Sequence, residues 1–149
     1  LGTLPTGWTL GRDVEDAEIT IDAGDRGPSG ATALRVRGQK RFEFFSAPFA
    51  VANPFARHTA SVHVKGTGRA ELSVRSDNRE LSRWGIDLKP DRWQQLSLSF
   101  DPSLHERGHV LGFYGQGELQ IDGLRVEPGE RPSEVAPDQT PEVAIASSS

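Results

Sequence analysis

Carboxylates are the first residues to weigh, because two of them flanking a glycosidic bond can protonate a leaving group and activate water. Glu71, Asp77, Glu80 and Asp87 fall in one central stretch. None sits in an apolar run of the kind whose burial raises an acid into the working range, so they read as solvated charges on strands and loops. The histidines are His58, His63, His105 and His109. His58 and His63 are an odd number of residues apart, which puts them on opposite faces of an extended chain. His105 and His109 have i, i+4 spacing, which needs a helical turn that Gly108 weakens, so no zinc site is expected. There is no Cys, which excludes disulfides, thiolate metal sites and cysteine nucleophiles. No Gly-x-Ser-x-Gly elbow or phosphate-cradling loop occurs, and "GTG" at 66–68 reads as a turn. The reading is of a chain that is not an enzyme.

Aromatic residues amid polar ones offer different chemistry. Trp84 stands between the polar stretch "SDNRELSR" and "GIDL", either covering a sheet edge or serving as a ligand platform. Tyr114 falls on the polar side of its run and, if the strands share a sheet, on one face with His63 and Arg75. A flat ring among forked donors suits a ligand with an apolar face and a fringe of hydroxyls, as a sugar has. Stacking on one ring covers about 50–100 Å² and contributes about 1–2.5 kcal/mol, whereas even millimolar binding needs about 4 kcal/mol. Several groups along a groove must therefore act together. The expected ligand-binding set is Trp84, Tyr114, Arg75, His63, Lys65 and Asp77, each of which could equally be ordinary solvated sheet surface.

These side chains need strands to hold them. With 16 Gly and 10 Pro scattered through 149 residues, few windows of helical length are uninterrupted. Short alternating runs are frequent: "EITI", "ALRVR", "HTASVHVKG", "AELSVRSD", "WQQLSLSF", "HVLGFYG", "ELQI" and "LRVE". Half-apolar, half-polar runs separated by Gly, Pro, Asn or Asp predict a single all-β antiparallel sandwich, or jelly roll. "KGTGRA" reads as a tight hairpin between two strands. Trp93 and Trp8 are expected in packing roles, Trp8 as a plug at the end of the sandwich.

Residues 1–130 read as one module. "RPSEVAPDQTPEVAIASSS", residues 131–149, holds three prolines and ends in three serines, which reads as a disordered linker leading to a neighbour. The net charge of −4 argues against a nucleic-acid partner, which would require a dense basic surface. No apolar run has membrane-spanning length. The chain lacks Met as well as Cys, and the expectation is one monomeric module of a larger protein.

In this order, "PTGWTL", "SGATALRVRG", "FFSAPFAV", "HTASVHVKGTGRAELSVRSD", "DRWQQLSLSFD" and "VLGFYGQGELQIDGLRVEPGE" together resemble the galactose-binding-like carbohydrate-binding modules of the CBM4/CBM9/CBM22 type. The likeness runs from Pro5 to Glu130 and rests on strand order and a few anchors. It implies a non-catalytic, secreted bacterial module that binds a polysaccharide or oligosaccharide and keeps the catalytic domain of its parent chain near that substrate. The resemblance also implies a structural Ca²⁺, with Asp122 of "QIDGLRV" at the matching position and Asp25 of "DAGDRGPSG" nearby; locally, Asp122 reads equally well as the start of a "DG" turn. The family's leading strand, with its Phe-Glu ligand, has no counterpart in "LGTLPTGW". The alternative is a structural or adhesion-type sandwich that packs on a neighbour without binding sugar. A third alternative, an independent hydrolase, would need two close carboxylates in one cleft.

Overall fold

The computed structural model describes residues 8–11, 19–51, 53–76, 79–102, 108–132 and 144–145. Nine strands run through them: β1 (Trp8–Leu10), β2 (Ile19–Arg26), β3 (Thr32–Ser46), β4 (His58–Gly66), β5 (Arg69–Ser76), β6 (Arg79–Asp87), β7 (Gln94–Phe100), β8 (His109–Pro128) and β9 (Ala144–Ile145). The fold is all-β and forms an antiparallel sandwich, as the alternating runs predict. Asp77 and His105 lie outside the described residues. So does most of the expected linker, within which β9 pairs in parallel with Arg125–Val126.

The two layers share their long strands. β8 pairs with β3 over Leu34–Phe45, with β4 over its C-terminal half and with β5 over its N-terminal half. The first sheet therefore runs β2, early β3, late β8, β4, β7, and the second runs β1, late β3, early β8, β5, β6. Alternation then assigns each residue a face. Val36, Val62, Val64, Leu119 and Ile121 of the first sheet and Phe42, Phe44, Leu72, Val74 and Phe113 of the second fill the space between the layers. A line of rings runs through this core. Trp8 meets Phe44 edge-on at 5.3 Å, and Phe44 stacks on Phe113 at 5.1 Å, contacts that add about 0.5–1.5 kcal/mol per pair beyond burial.

Two expectations change here. "KGTGRA" is a corner, not a hairpin: Gly66 pairs with Leu119 and Arg69 with Gln116, so β4 and β5 follow β8 in one register and one direction. The chain bends from one layer into the other without reversing. Gly68 and Gly117 make the bend possible, with φ of 102° and 103°, and a Cβ on either would strike a carbonyl oxygen across the ladder, that of Gln116 or Thr67. Likewise "HVLGFYG", "ELQI" and "LRVE" form one strand, β8, and Asp122–Gly123 lies within it beside a bulge. Glycine bends this ribbon where sequence reading expects it to turn.

Candidate functional site

The bend creates an open site on the outer face of the second sheet. Gly38 of β3 pairs with Gly117, and Phe42 with Gly115, so three β3 residues bulge opposite one of β8. The bulge ends at Arg41, whose guanidinium lies over the Tyr114 ring with Cζ 4.9 Å from the centroid. Arg83, from β6, lies over the same ring at 4.3 Å, and Phe45 meets its edge at 5.9 Å. Ser73 donates to the phenolic oxygen at 3.3 Å. Tyr114 is 5 % exposed, so its ring forms a wall already faced by cations.

Glu71 stands beside it, paired with Tyr114 across the ladder. Its carboxylate meets Arg83 at 2.6 Å, Arg69 at 3.1 Å and Arg41 at 3.5 Å. Across on β6 the partner of Glu71 is Gly85. A Cβ there would collide with the Glu71 side chain and lie 2.8 Å from Arg69 Nη2, so the absent side chain makes room for the cluster. Partial burial works to raise the Glu71 pKa, but the hydrogen bonds from Arg83 and Arg69 outweigh it and hold the carboxyl below the ordinary glutamate range. An acid held ionised in this way has no proton to give at neutral pH. Arg41, Arg69, Glu71, Tyr114, Gly115 and Gln116 line a cavity of about 250 Å³, with donors and an acceptor placed around a ring.

The outer face of the first sheet is polar too, yet it is closed at its centre. Asp122 is fully buried and accepts from the Ser29 backbone N–H at 2.8 Å and from Ser29 Oγ at 2.7 Å. These bonds clasp the β2–β3 turn onto the sheet, and Gly27 fits against the carboxylate because a Cβ there would strike it. His63 pairs with Asp122 on this face. Burial pulls the His63 pKa down, Asp122 opposes that shift and Arg125 adds to it. Nearby, Gln120 accepts from the Asp25 backbone N–H at 2.6 Å and donates to the Asp25 carboxylate at 2.9 Å. Arg35 at 3.6 Å and Lys65 at 3.9 Å also flank that carboxylate.

The expected ligand-binding set therefore divides. Tyr114 and Arg75 share the outer face of the second sheet, Arg75 lying four residues beyond Glu71 along β5, about 13 Å at strand rise. His63 and Lys65 occupy the outer face of the other sheet, so no single cradle holds them with Tyr114. The reason is the corner: residues before Gly66 belong to one layer and those after Gly68 to the other. Trp84 lies in the edge strand β6, where it pairs with Leu72 and so points to the opposite side from Tyr114. It is 60 % exposed, on a strand that, among the described residues, pairs with β5 alone.

Of the expected calcium ligands, Asp122 directs its carboxylate to Ser29 and Asp25 is flanked by two cations. Among the described residues, no group of three or more His, Asp or Glu stands together to hold a metal ion. Sequence reading missed Arg41, Arg69 and Gln116 as pocket residues and Arg83 as their neighbour on Glu71, and weighed Glu71 only as a catalytic acid. The available signal was the basic and acidic alternation of "GRAELSVR" and "RELSRW", which says nothing about convergence until the strands are paired.

Solved structures share this architecture. The CBM22-1 xylan-binding domain from Paenibacillus barcinonensis superposes with a TM-score of 0.59 at 13 % identity, covering 86 % of this chain and 89 % of that one. CBM61 and CBM4 modules match as well. This all-β sandwich fold is shared with the CBM22, CBM61 and CBM4 modules. A cyclase from Fischerella sp. TAU also has this module fold, with a TM-score of 0.66, 10 % identity and coverage of 88 % and 89 %. The enzymatically active domain of bacteriophage CBA120 tailspike protein 4 matches at TM-score 0.65 and 14 % identity over 83 % of this chain, which spans only 20 % of that protein chain. No family model matches the sequence, and no curated protein does. A module fold that also serves a cyclase leaves function to be argued from the site.

Proposed function

We propose that the chain is a non-catalytic carbohydrate-binding module that takes its glycan on the outer face of the second sheet and, as part of a secreted bacterial protein, holds an attached polysaccharide-active enzyme near its substrate. The observation that carries this reading is the open cavity beside Tyr114, about 250 Å³ in volume, in which Arg41, Arg69, Glu71 and Gln116 surround an aromatic wall. Guanidinium and amide donors with one carboxylate acceptor match a ring of hydroxyls. The cavity's one acid, Glu71, is tied to three arginines, which suits holding a hydroxyl and is unsuited to donating a proton.

Calorimetric titration with a panel of soluble polysaccharides tests the proposal. Saturable binding is expected to at least one glycan, weakened at least tenfold by Gln116→Ala combined with Arg69→Ala, with no release of reducing ends. Absence of binding across the panel, or glycan cleavage lost in Glu71→Gln, would overturn it. A second reading, a sandwich that packs on a neighbouring domain without sugar, is favoured by one observation: Phe55 and Trp84 are 85 % and 60 % exposed. That reading requires Trp84 to be covered in the parent protein, which solvent quenching of its fluorescence in longer and shorter forms of the chain would reveal.

A further inference from the structure

The pocket is cationic in a chain that is acidic overall. The net charge is −4, yet three guanidiniums converge on Glu71. Their other partners are unequal. Arg83 also meets Glu80 at 3.4 Å, and Arg69 also meets Asp87 at 3.2 Å. Arg41 has only its 3.5 Å contact with Glu71 among the described residues, and its side chain is 55 % exposed. Its guanidinium lies over the Tyr114 ring, so it is placed by the ring, and among the described residues its one hydrogen bond is the long contact with Glu71. A planar cation positioned this way presents a fork, and its natural complement is a planar anion. Hydroxyls alone would be served by Gln116 and Glu71; they give no reason for a third, half-exposed guanidinium that shares Glu71 with two nearer arginines.

We propose that the cavity beside Tyr114 selects a carboxylate-bearing sugar, a uronic acid residue within a glycan, with Arg41 receiving the carboxylate and Arg69 and Gln116 bonding the ring hydroxyls. This inference rests on the reading of the chain as a glycan binder and names the class of glycan. Glu71 sets the geometry, since its carboxylate gathers the guanidiniums while its own charge keeps other anions from binding by charge alone. Selectivity then comes from one fork and one ring wall, not from a broad basic surface.

The experiment uses the full chain and three acidic probes, namely oligogalacturonate, glucuronoxylan and alginate oligosaccharides, each paired with its own carboxyl-reduced form, together with neutral xylan, galactan and β-glucan. At least one acidic probe is expected to bind ten or more times tighter than its reduced form. Arg41→Gln should abolish that preference, Arg41→Lys should keep only part of it, and Arg57→Gln, at an exposed arginine elsewhere, should leave it unchanged. Thermal melting of each variant confirms folding. Equal binding of acidic and reduced forms, or binding to the neutral panel alone, would overturn the uronic acid inference while leaving the glycan reading intact. Equal losses in Arg41→Gln and Arg57→Gln would overturn it too, by showing non-specific attraction. Failure of every probe to bind would remove both.

Discussion

The two outer faces of this sandwich are built from the same material and end in opposite states. Both are polar sides of alternating strands, and both carry a carboxylate opposite a functional-looking neighbour: Asp122 opposite His63, and Glu71 opposite Tyr114. On the first sheet the β2–β3 turn folds over Asp122 and donates a hydrogen bond to each of its oxygens. On the second sheet, among the described residues, no turn covers Glu71; three arginines converge on it and leave a cavity beside it. A polar strand face is thus not in itself a binding face. What crosses over it decides whether its charges fasten the fold or meet a ligand.

The largest test of this contrast is Asp122→Ala. It strands the Ser29 N–H and hydroxyl in a buried site, and losing two bonds to a charged acceptor should cost about 3 kcal/mol of stability. Urea unfolding measures that loss, and glycan affinity of the folded fraction should hold within about twofold, since the pocket lies on the other face. A fall in affinity matching the fall in stability would break the contrast between a clasp and a site.

Glu71→Gln comes next. The Glu71 pKa is lower in the folded than in the unfolded chain, so the stability it contributes is fully present above the ordinary value of 4.5 and is lost as pH falls through the folded value. Unfolding measured between neutral and acid pH should show a drop below about 4.5 that is smaller in the variant. An identical profile in both would show that the arginines stabilise nothing through this carboxylate.

His63 gives a smaller signal of the same sign, in a window at higher pH. Burial lowers its folded pKa, so the unfolded chain takes up a proton more readily, and stability is lost as pH falls from the ordinary value of 6.5 toward the folded one. His63→Gln should flatten that window and leave glycan binding unchanged. The smallest expected effect is that of Trp84→Ala. Because the ring is largely exposed and lies on the opposite side of β6 from the pocket, affinity should change by less than about twofold. A large loss would return Trp84 to the binding surface.

Much of the fold was legible because strand alternation has a period of two and needs no partner to be seen. "HTASVHVKG" and "AELSVRSD" declare a greasy side and a wet side in any context, and Val62, Val64, Leu72 and Val74 are buried accordingly. The edge strand β6 escaped notice since neither of its faces is fully covered and its pattern stays mixed. "KGTGRA" was misread because glycine permits positive φ without saying which way the chain leaves, and the answer, straight on along β8, is stored in the pairing with Gln116 and Leu119.

The sequence alone determined an all-β chain of two-faced strands, an interior of Val, Leu and Phe, and an inventory of arginines, carboxylates and aromatic rings. Local sterics and hydrophobic period suffice for that, since each acts over a few neighbouring residues. Only the tertiary structure decided that His63 and Tyr114 face away from each other, that Asp122 is a clasp and that Arg41, Arg69 and Arg83 meet at one carboxylate. Those outcomes depend on which strands cross the bend together. Glu71 and Arg41 are 30 positions apart, and a contact over that distance forms only when late β3 and β5 both pair with β8 and the β3 bulge sets Arg41 over Tyr114.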